Sequence, residues 1–168
     1  IYFIFRRIVL RIFFRRELVS QIEWPRVKSI LFIRLDRVGD MVISLPAIKS
    51  VKEQYPQVKI SLLVRHGIAD LVRSEVDEVI VYSGWQKVFN QIKSYKFDVV
   101  VDLLMDDKLF PAVLAYFSAA PYRIGFDIES RGLLLTLPIE PDMARKSMVE
   151  HELDLVRAMG IAVREENR

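Results

Sequence analysis

After Pro25, the hydrophobic residues fall into short continuous runs, separated by segments in which they recur with helical spacing. Continuous apolar runs of this length are typical of buried parallel strands. The runs predict five strands, at 29–35, 58–65, 78–83, 97–104 and 122–126. The segments between and after them predict five helices, at 46–54, 67–74, 85–94, 108–120 and 147–160. Strands alternating with helices over short connections indicate an α/β fold: a parallel sheet with helices on both faces.

Prolines and a glycine mark predicted helix ends. Pro46 and Pro111 suit the first turn of a helix, where the missing N–H is not needed. The last helix is amphipathic and is expected to end at Gly160. Its apolar side consists of Val149, Leu153, Val156 and Met159.

Residues 1–26 form a region of their own. They carry six arginines against two glutamates, whereas the rest of the chain is close to neutral. On a helix, Arg7, Arg11 and Arg15 form one stripe between large apolar side chains. The segment has too many charges for a transmembrane helix and no small-residue site for signal cleavage. It predicts an amphipathic helix on an anionic membrane surface; the alternative is a helix packed on a part of the protein outside this chain.

Several kinds of chemistry have no motif in this sequence. Cysteine is absent, which excludes disulfides and thiolate ligands. Neither G-x-G-x-x-G nor G-x-x-x-x-G-K-[ST] occurs, so the dinucleotide and P-loop signatures are missing. His66 and His151 are not spaced like zinc ligands, and we expect no metal site. The near-neutral body argues against a nucleic-acid binder.

The loop after the first strand has the most suggestive chemistry. Parallel strands present their carboxyl ends to ligands at one edge, which directs attention to 35–45, 65–67 and 102–108. In the first of these, Asp36, Arg37 and Asp40 surround Gly39, which permits close backbone approach or a positive φ. Taken alone, Asp40 reads most simply as a helix cap and Arg37 as an exposed loop cation.

The loop in its context resembles the lipopolysaccharide heptosyltransferase family, glycosyltransferase family 9. The resemblance is carried by "ILFIRLDRVGDMVISLPAIKSVKEQYPQVKISLLVR" (30–65). Three later segments match family landmarks in the expected order: "FDVVVDL" (97–103), "YRIGF" (122–126) and "HELDLVRAMGI" (151–161). The similarity covers roughly residues 28–161.

The resemblance implies a GT-B fold, in which two Rossmann-like domains face each other across a cleft. Residues 27–168 correspond to the N-terminal, acceptor-side domain, and the donor domain is absent, so we expect this chain alone to be inactive. The implied reaction is an inverting, metal-independent transfer of a sugar, heptose from ADP-heptose, to a lipid-linked inner-core acceptor. No other cofactor is implied. The implied location is cytoplasmic, on the inner face of the cytoplasmic membrane.

Residue roles carry over from the resemblance position by position. Asp40 matches the proposed catalytic base, which takes the proton of the acceptor hydroxyl. Arg37, Gly39, Asp102 and Lys108 are the implied acceptor contacts, although "LLMDDK" (103–108) departs from the polar turn of many members. Asp102 has an alternative role as a buried structural carboxylate. Two other functions stay open: a non-catalytic, membrane-associated binding module, and a nucleotide enzyme of another class.

Overall fold

A computed structural model describes residues 2–14, 17–142 and 147–164. Six parallel strands form one sheet in the order β3-β2-β1-β4-β5-β6. The strands are β1 (Ser29–Arg34), β2 (Lys59–Val64), β3 (Glu78–Val81), β4 (Val99–Asp102), β5 (Tyr122–Phe126) and β6 (Leu137–Ile139). The α/β, Rossmann-like fold and the first five strands are thus confirmed. The sixth was not predicted, because a three-residue strand containing Pro138 gives too weak a pattern.

Six α-helices accompany the strands in the described part of the chain. They are α1 (Tyr2–Phe13), α2 (Val38–Gln54), α3 (Ala69–Val72), α4 (Trp85–Tyr95), α5 (Phe110–Phe117) and α6 (Met148–Ala158). Pro111 does lie in the first turn of α5, and Gly160 follows α6 with φ +80°. Short 3-10 turns occur at Trp24–Arg26, His66–Ile68 and Arg131–Leu134.

The prediction for Pro46 is wrong, because α2 begins eight residues before it, at Val38. The β-branched residues and the glycine of "VGDMVI" have low helix propensity and concealed this start. Tertiary packing outweighs that low propensity, because α2 buries one face of the helix. The buried residues at helical spacing include Met41, Ser44, Ala47 and Ile48. Asp40 consequently lies inside the first turn of α2, and Pro46 lies in its interior.

The side chains of the strands alternate between two cores. Ile30 and Phe32 of β1 belong to the core covered by α2, α3 and α6. Leu31 and Ile33 belong to the opposite core, under α4 and α5. Helices therefore cover both faces of the sheet, and the carboxyl ends of the strands remain accessible to ligands.

The N-terminal helix is shorter than predicted and packs on the described domain. It ends at Phe13 rather than continuing to residue 26. Leu10 is buried against Ala112 of α5 and Leu134. Farther along, the Val19 N–H donates to the Thr136 carbonyl at 2.9 Å, which leads the chain away from α1 along the domain. In the described ranges, no helix is long and apolar enough to span a bilayer.

Candidate functional site

The strand order fixes where a ligand site should lie. Strand order reverses between β1 and β4, and α/β sheets of this order bind ligands at the carboxyl ends of these two strands. β1 ends at Arg34 and β4 at Asp102. The loops that follow these strands belong to the stretches that the sequence singled out.

Asp40 is the third residue of α2, and Arg37 is the N-cap. The Arg37 N–H donates to Asp40 Oδ2 at 3.3 Å, so the carboxylate does cap the helix, from inside its first turn. The side chain is also 34% exposed. One carboxylate can therefore hold the loop and still meet a ligand.

Arg37 and Gly39 lie beside Asp40 on the surface. Arg37 is exposed, and among the described residues no side-chain hydrogen bond holds it at the helix start. Gly39 has no positive φ, since it is part of α2. A Cβ at Gly39 would meet no atom of the described ranges within 4 Å, which leaves space above it for a ligand.

Behind Asp40, the guanidinium of Arg34 is almost fully buried. Its Nη1 donates to the Leu103 carbonyl at 2.5 Å, which joins the ends of β1 and β4. Its Nε lies 2.9 Å from Asp36 Oδ1, and its Nη2 lies 3.2 Å from Glu152 Oε1 and 4.0 Å from Asp40 Oδ1. One cation thus faces three carboxylates.

Burial disturbs the ionisation of two of these carboxylates. It raises the pKa of Glu152 to about 7, against the opposing attraction of Arg34. Burial also raises the pKa of Asp36, again opposed by Arg34. Charge repulsion within the cluster contributes to both shifts.

Asp102 is wholly buried and pairs with the equally buried Arg131. Its side chain has no exposed surface to offer an acceptor, and its position matches the structural role that the sequence left open. Burial raises the pKa of Asp102, which Arg131 opposes. Nη1 of Arg131 also donates to the carbonyls of Leu104, at 2.9 Å, and of Asp106. Arg131 therefore ties the end of β4 to the loop that follows it.

A cavity of about 370 Å³ opens at this edge of the sheet. All three predicted stretches contribute to its wall, together with aromatic residues. The lining residues are Leu35, Asp36, Arg65, His66, Tyr82, Leu104, Lys108, Phe110 and Pro111. Lys108 is thus at the cavity, whereas Arg37, Gly39, Asp40 and Asp102 do not line it. Basic groups beside an aromatic wall suit an anionic ligand that also has apolar faces.

Two of the three arginines predicted to contact a membrane, Arg7 and Arg11, lie on α1. Arg7 and Arg11 are exposed on α1 and line a groove of about 410 Å³ opposite Asp127, Glu129 and Glu140. Arg15 lies outside the described residues. Arg6, which is not part of the predicted arginine stripe, is buried. Its Nη1 donates to the Asp107 carbonyl at 2.7 Å.

Sequence reasoning missed Arg34, Arg65, the aromatic wall and Glu152 as members of the site. Arg34 did carry a signal, because a charge inside the apolar run "ILFIRL" must find a partner when the strand is buried. Glu152 carried no such sequence signal, because its partner Arg34 lies on the first strand and only the fold brings the two together. Within 2–14, 17–142 and 147–164, no cluster of three or more His, Cys, Asp or Glu side chains could hold a metal ion.

Two relatives share 26% sequence identity with this chain. The lipopolysaccharide core heptosyltransferase OpsX of Haemophilus influenzae matches over 106 residues, 59% of this chain and 30% of its own length. The structure of E. coli ADP-heptose lipopolysaccharide heptosyltransferase II superposes with a TM-score of 0.67, covering 76% of this chain and 40% of its own.

The chain is similar to the lipopolysaccharide heptosyltransferases in sequence and in fold. A glycosyltransferase family 9 structure from Veillonella parvula, 17% identical over 80% of this chain and 42% of its own, has the same fold with a TM-score of 0.67. The E. coli heptosyltransferase WaaC, 19% identical over 82% of this chain and 50% of its own, gives 0.65. No family model matches the chain. This chain spans less than half the length of OpsX and heptosyltransferase II, and its fold is that of the N-terminal half of a GT-B protein.

Replacing Arg131 with methionine should destabilise the domain by about 3–5 kcal/mol, because the buried Asp102 would lose its ion-pair partner and would have to stay unpaired or take up a proton. Urea unfolding monitored by tryptophan fluorescence would measure the loss. The matched control is Arg73→Met, which removes an exposed pair with Asp70 and should cost less than about 1 kcal/mol. Equal losses in the two variants would contradict a structural role for the buried pair.

Proposed function

We propose that this chain is the acceptor-side half of an inverting glycosyltransferase, with Asp40 as the catalytic base. One observation carries the proposal: Asp36 in the cavity wall and Asp40 meet the same guanidinium, that of Arg34. A ligand that contacts Asp36 in the cavity therefore lies close to the partly exposed carboxylate of Asp40, because a single guanidinium group separates the two carboxylates. The identity shared with OpsX and with heptosyltransferase II supports sugar transfer as the reaction class.

The proposed reaction is a single displacement. An acceptor hydroxyl oxygen bonds to the anomeric carbon of the donor sugar, while the bond from that carbon to the nucleotide diphosphate breaks. Asp40 accepts the hydroxyl proton as the new bond forms, and the diphosphate leaves with the electron pair of the broken bond. No metal has a part in the proposed step. The donor, which we propose to be ADP-heptose, is held mainly by a second domain outside this chain.

The acceptor that fits the cavity is an anionic sugar, in keeping with the inner core of lipopolysaccharide. Arg65 donates through Nε to the Leu35 carbonyl at 2.6 Å, which fixes its guanidinium at the wall. Lys108, whose Nζ pairs with Asp106 Oδ2 at 2.5 Å, brings a second positive charge to the wall, and Arg37 brings a third at the neighbouring surface. Guanidinium groups pair with carboxylates and phosphates, whereas Tyr82 and Phe110 offer apolar surface to a sugar ring.

The acceptor is further proposed to be lipid-linked, so that the protein works at the inner face of the cytoplasmic membrane. The outward face of α1 supports this. Ile4, Phe5, Ile8 and Ile12 lie on the side away from the buried Arg6 and Leu10, and they are 52–71% exposed. The net positive charge of residues 1–26 complements anionic lipid headgroups, whereas a second copy of the helix would bring like charge.

Asp40→Asn should lower kcat about 100-fold or more in the full-length protein, because the amide cannot take the hydroxyl proton. Acceptor affinity should change less than about twofold, since the side chain keeps its shape. Transfer from ADP-heptose to an inner-core acceptor, followed by mass spectrometry, measures the rate. Asp70→Asn, the same change at an exposed site, is the control. Near-normal turnover by Asp40→Asn would refute the base assignment.

Lys108→Gln should weaken acceptor binding about tenfold at low salt and much less at high salt, because it removes a charge from the cavity wall. Titration calorimetry of the domain with a phosphorylated or carboxylated inner-core oligosaccharide measures the affinity. Lys87→Gln, at an exposed position on α4, is the control and should bind normally. Unchanged affinity in Lys108→Gln would remove the cavity from the acceptor site.

Changing Ile4, Ile8 and Ile12 together to serine should reduce binding to vesicles containing anionic lipid about 100-fold. Each partly exposed isoleucine is expected to contribute about 1 kcal/mol on insertion. Vesicle sedimentation measures the partition coefficient, and Leu71→Ser, at an exposed leucine on α3, is the control. Unreduced vesicle binding would show that this face does not contact lipid. If the wild type is a dimer and the triple variant a monomer, the partner of this face is a second copy of the chain.

A further inference from the structure

Glu152 is a buried carboxyl group that has no part in the proposed reaction. It lies on α6, its side chain is 1% exposed, and its closest charged partner is Nη2 of Arg34, at 3.2 Å. Neither of its oxygens accepts a hydrogen bond from the described residues. A buried carboxyl group this poorly satisfied is costly to retain, which calls for a physical reason.

Glu152 and Asp40 share one nitrogen of Arg34. Nη1 is committed to the Leu103 carbonyl, and Nε faces Asp36. Nη2 alone lies toward both Glu152 and Asp40, at 3.2 and 4.0 Å. The two carboxyl groups therefore compete for the same positive charge.

The charge count makes this competition depend on a proton. If Asp36, Asp40 and Glu152 were all ionised, Arg34 would leave an excess of two negative charges at a largely buried position. Such an excess is unfavourable in a low-dielectric environment, so one carboxyl group tends to stay protonated. Burial selects Glu152 as that group, and the pKa of about 7 puts its ionisation in the neutral range.

We propose that Glu152 is a positioning residue for Asp40: through the shared nitrogen of Arg34, its charge sets how firmly Asp40 holds a proton. This inference rests on the proposed role of Asp40 as the base. Ionised Glu152 engages Arg34 and leaves Asp40 a stronger base. Protonated Glu152 leaves the guanidinium to Asp40, which weakens it as a base. Transfer should therefore become faster as Glu152 loses its proton.

The charged groups around Glu152 come from three places: Arg34 from β1, Asp36 from the following loop and Asp40 from α2. The hydroxyl of Ser44, also on α2, faces it as well but donates to the Asp40 carbonyl at 3.0 Å. Of the other strands packed on α6, β6 is uncharged. The charged residue of β5, Arg123, is bonded to the Ala120 and Leu134 carbonyls. Arg34 and the two aspartates therefore govern the titration.

The coupling can be measured without any activity. Two sites that influence each other do so by the same free energy in both directions, so the charge of Asp40 must also hold the proton on Glu152. Carbon-13 NMR of the side-chain carboxyl groups, with Glu152→Gln to assign the signal, gives the midpoint of the Glu152 titration. In Asp40→Asn this midpoint should fall by about 0.5 pH unit or more, a threefold loss of proton affinity. An unchanged midpoint would overturn the proposal.

The consequence for transfer is tested in the full-length protein. In the wild type, kcat should rise between about pH 6 and pH 8 with the ionisation of Glu152. Glu152→Gln should lose this rise: kcat about three- to tenfold lower at pH 8, unchanged within about twofold at pH 6, and KM unaffected. Glu152→Asp, which keeps the ionisable group, should restore part of the rise.

Glu150→Gln is the matched control, because Glu150 lies on the same helix but pairs with Arg157. Its pH profile should follow that of the wild type. Equal losses at both pH values in Glu152→Gln, or the same change in Glu150→Gln, would overturn the proposal. Failure of the base assignment looks different: Asp40→Asn would then be fully active, whereas the NMR coupling between the two carboxyl groups would persist.

Discussion

The buried guanidinium of Arg34 is the interaction on which the proposed site depends. It joins β1 to β4 through the Leu103 carbonyl, and it meets carboxylates from the β1–α2 loop, from α2 and from α6. Removing it would leave three carboxyl groups facing one another without a cation, an arrangement far more costly than the loss of a surface pair. The position of the Asp40 carboxylate and the closure of α6 over the sheet are therefore linked through one side chain.

The strands that build the sheet were predictable because their signal is local. Buried parallel strands are continuous apolar runs, and "SILFIR" and "VVVD" could be recognised without knowing their neighbours. The parallel order then predicted which loops would meet, and the cavity indeed takes residues from all three stretches. The start of α2 was predicted wrongly because the signal that determines it is not local. Burial against the sheet, a tertiary effect, outweighed weak helix formers and tolerated Pro46 in the interior.

The residues of the candidate site likewise fall into two groups: those with a local sequence signal and those that only the fold brings together. The acidic loop of 36–40 was visible in sequence. Asp40 does cap a helix, although from inside the first turn of α2, whose start at Val38 was not predicted. Glu152 and Arg131 could not be found, because each meets its partner only once distant segments have packed. Two of the predicted acceptor contacts also differ in exposure, which sequence could not show. The Asp102 carboxylate is enclosed, whereas Lys108 reaches the cavity.

The loop between β4 and α5 has little regular structure of its own, yet buried arginines hold its backbone. The carbonyls of Leu103, Leu104, Asp106 and Asp107 each accept a hydrogen bond from Arg34, Arg131 or Arg6. Guanidinium groups thus replace the water that usually solvates an irregular segment. The loop gives up its conformational freedom when the domain folds rather than when a ligand arrives. A ligand that meets Lys108 therefore binds to a wall already organised for it.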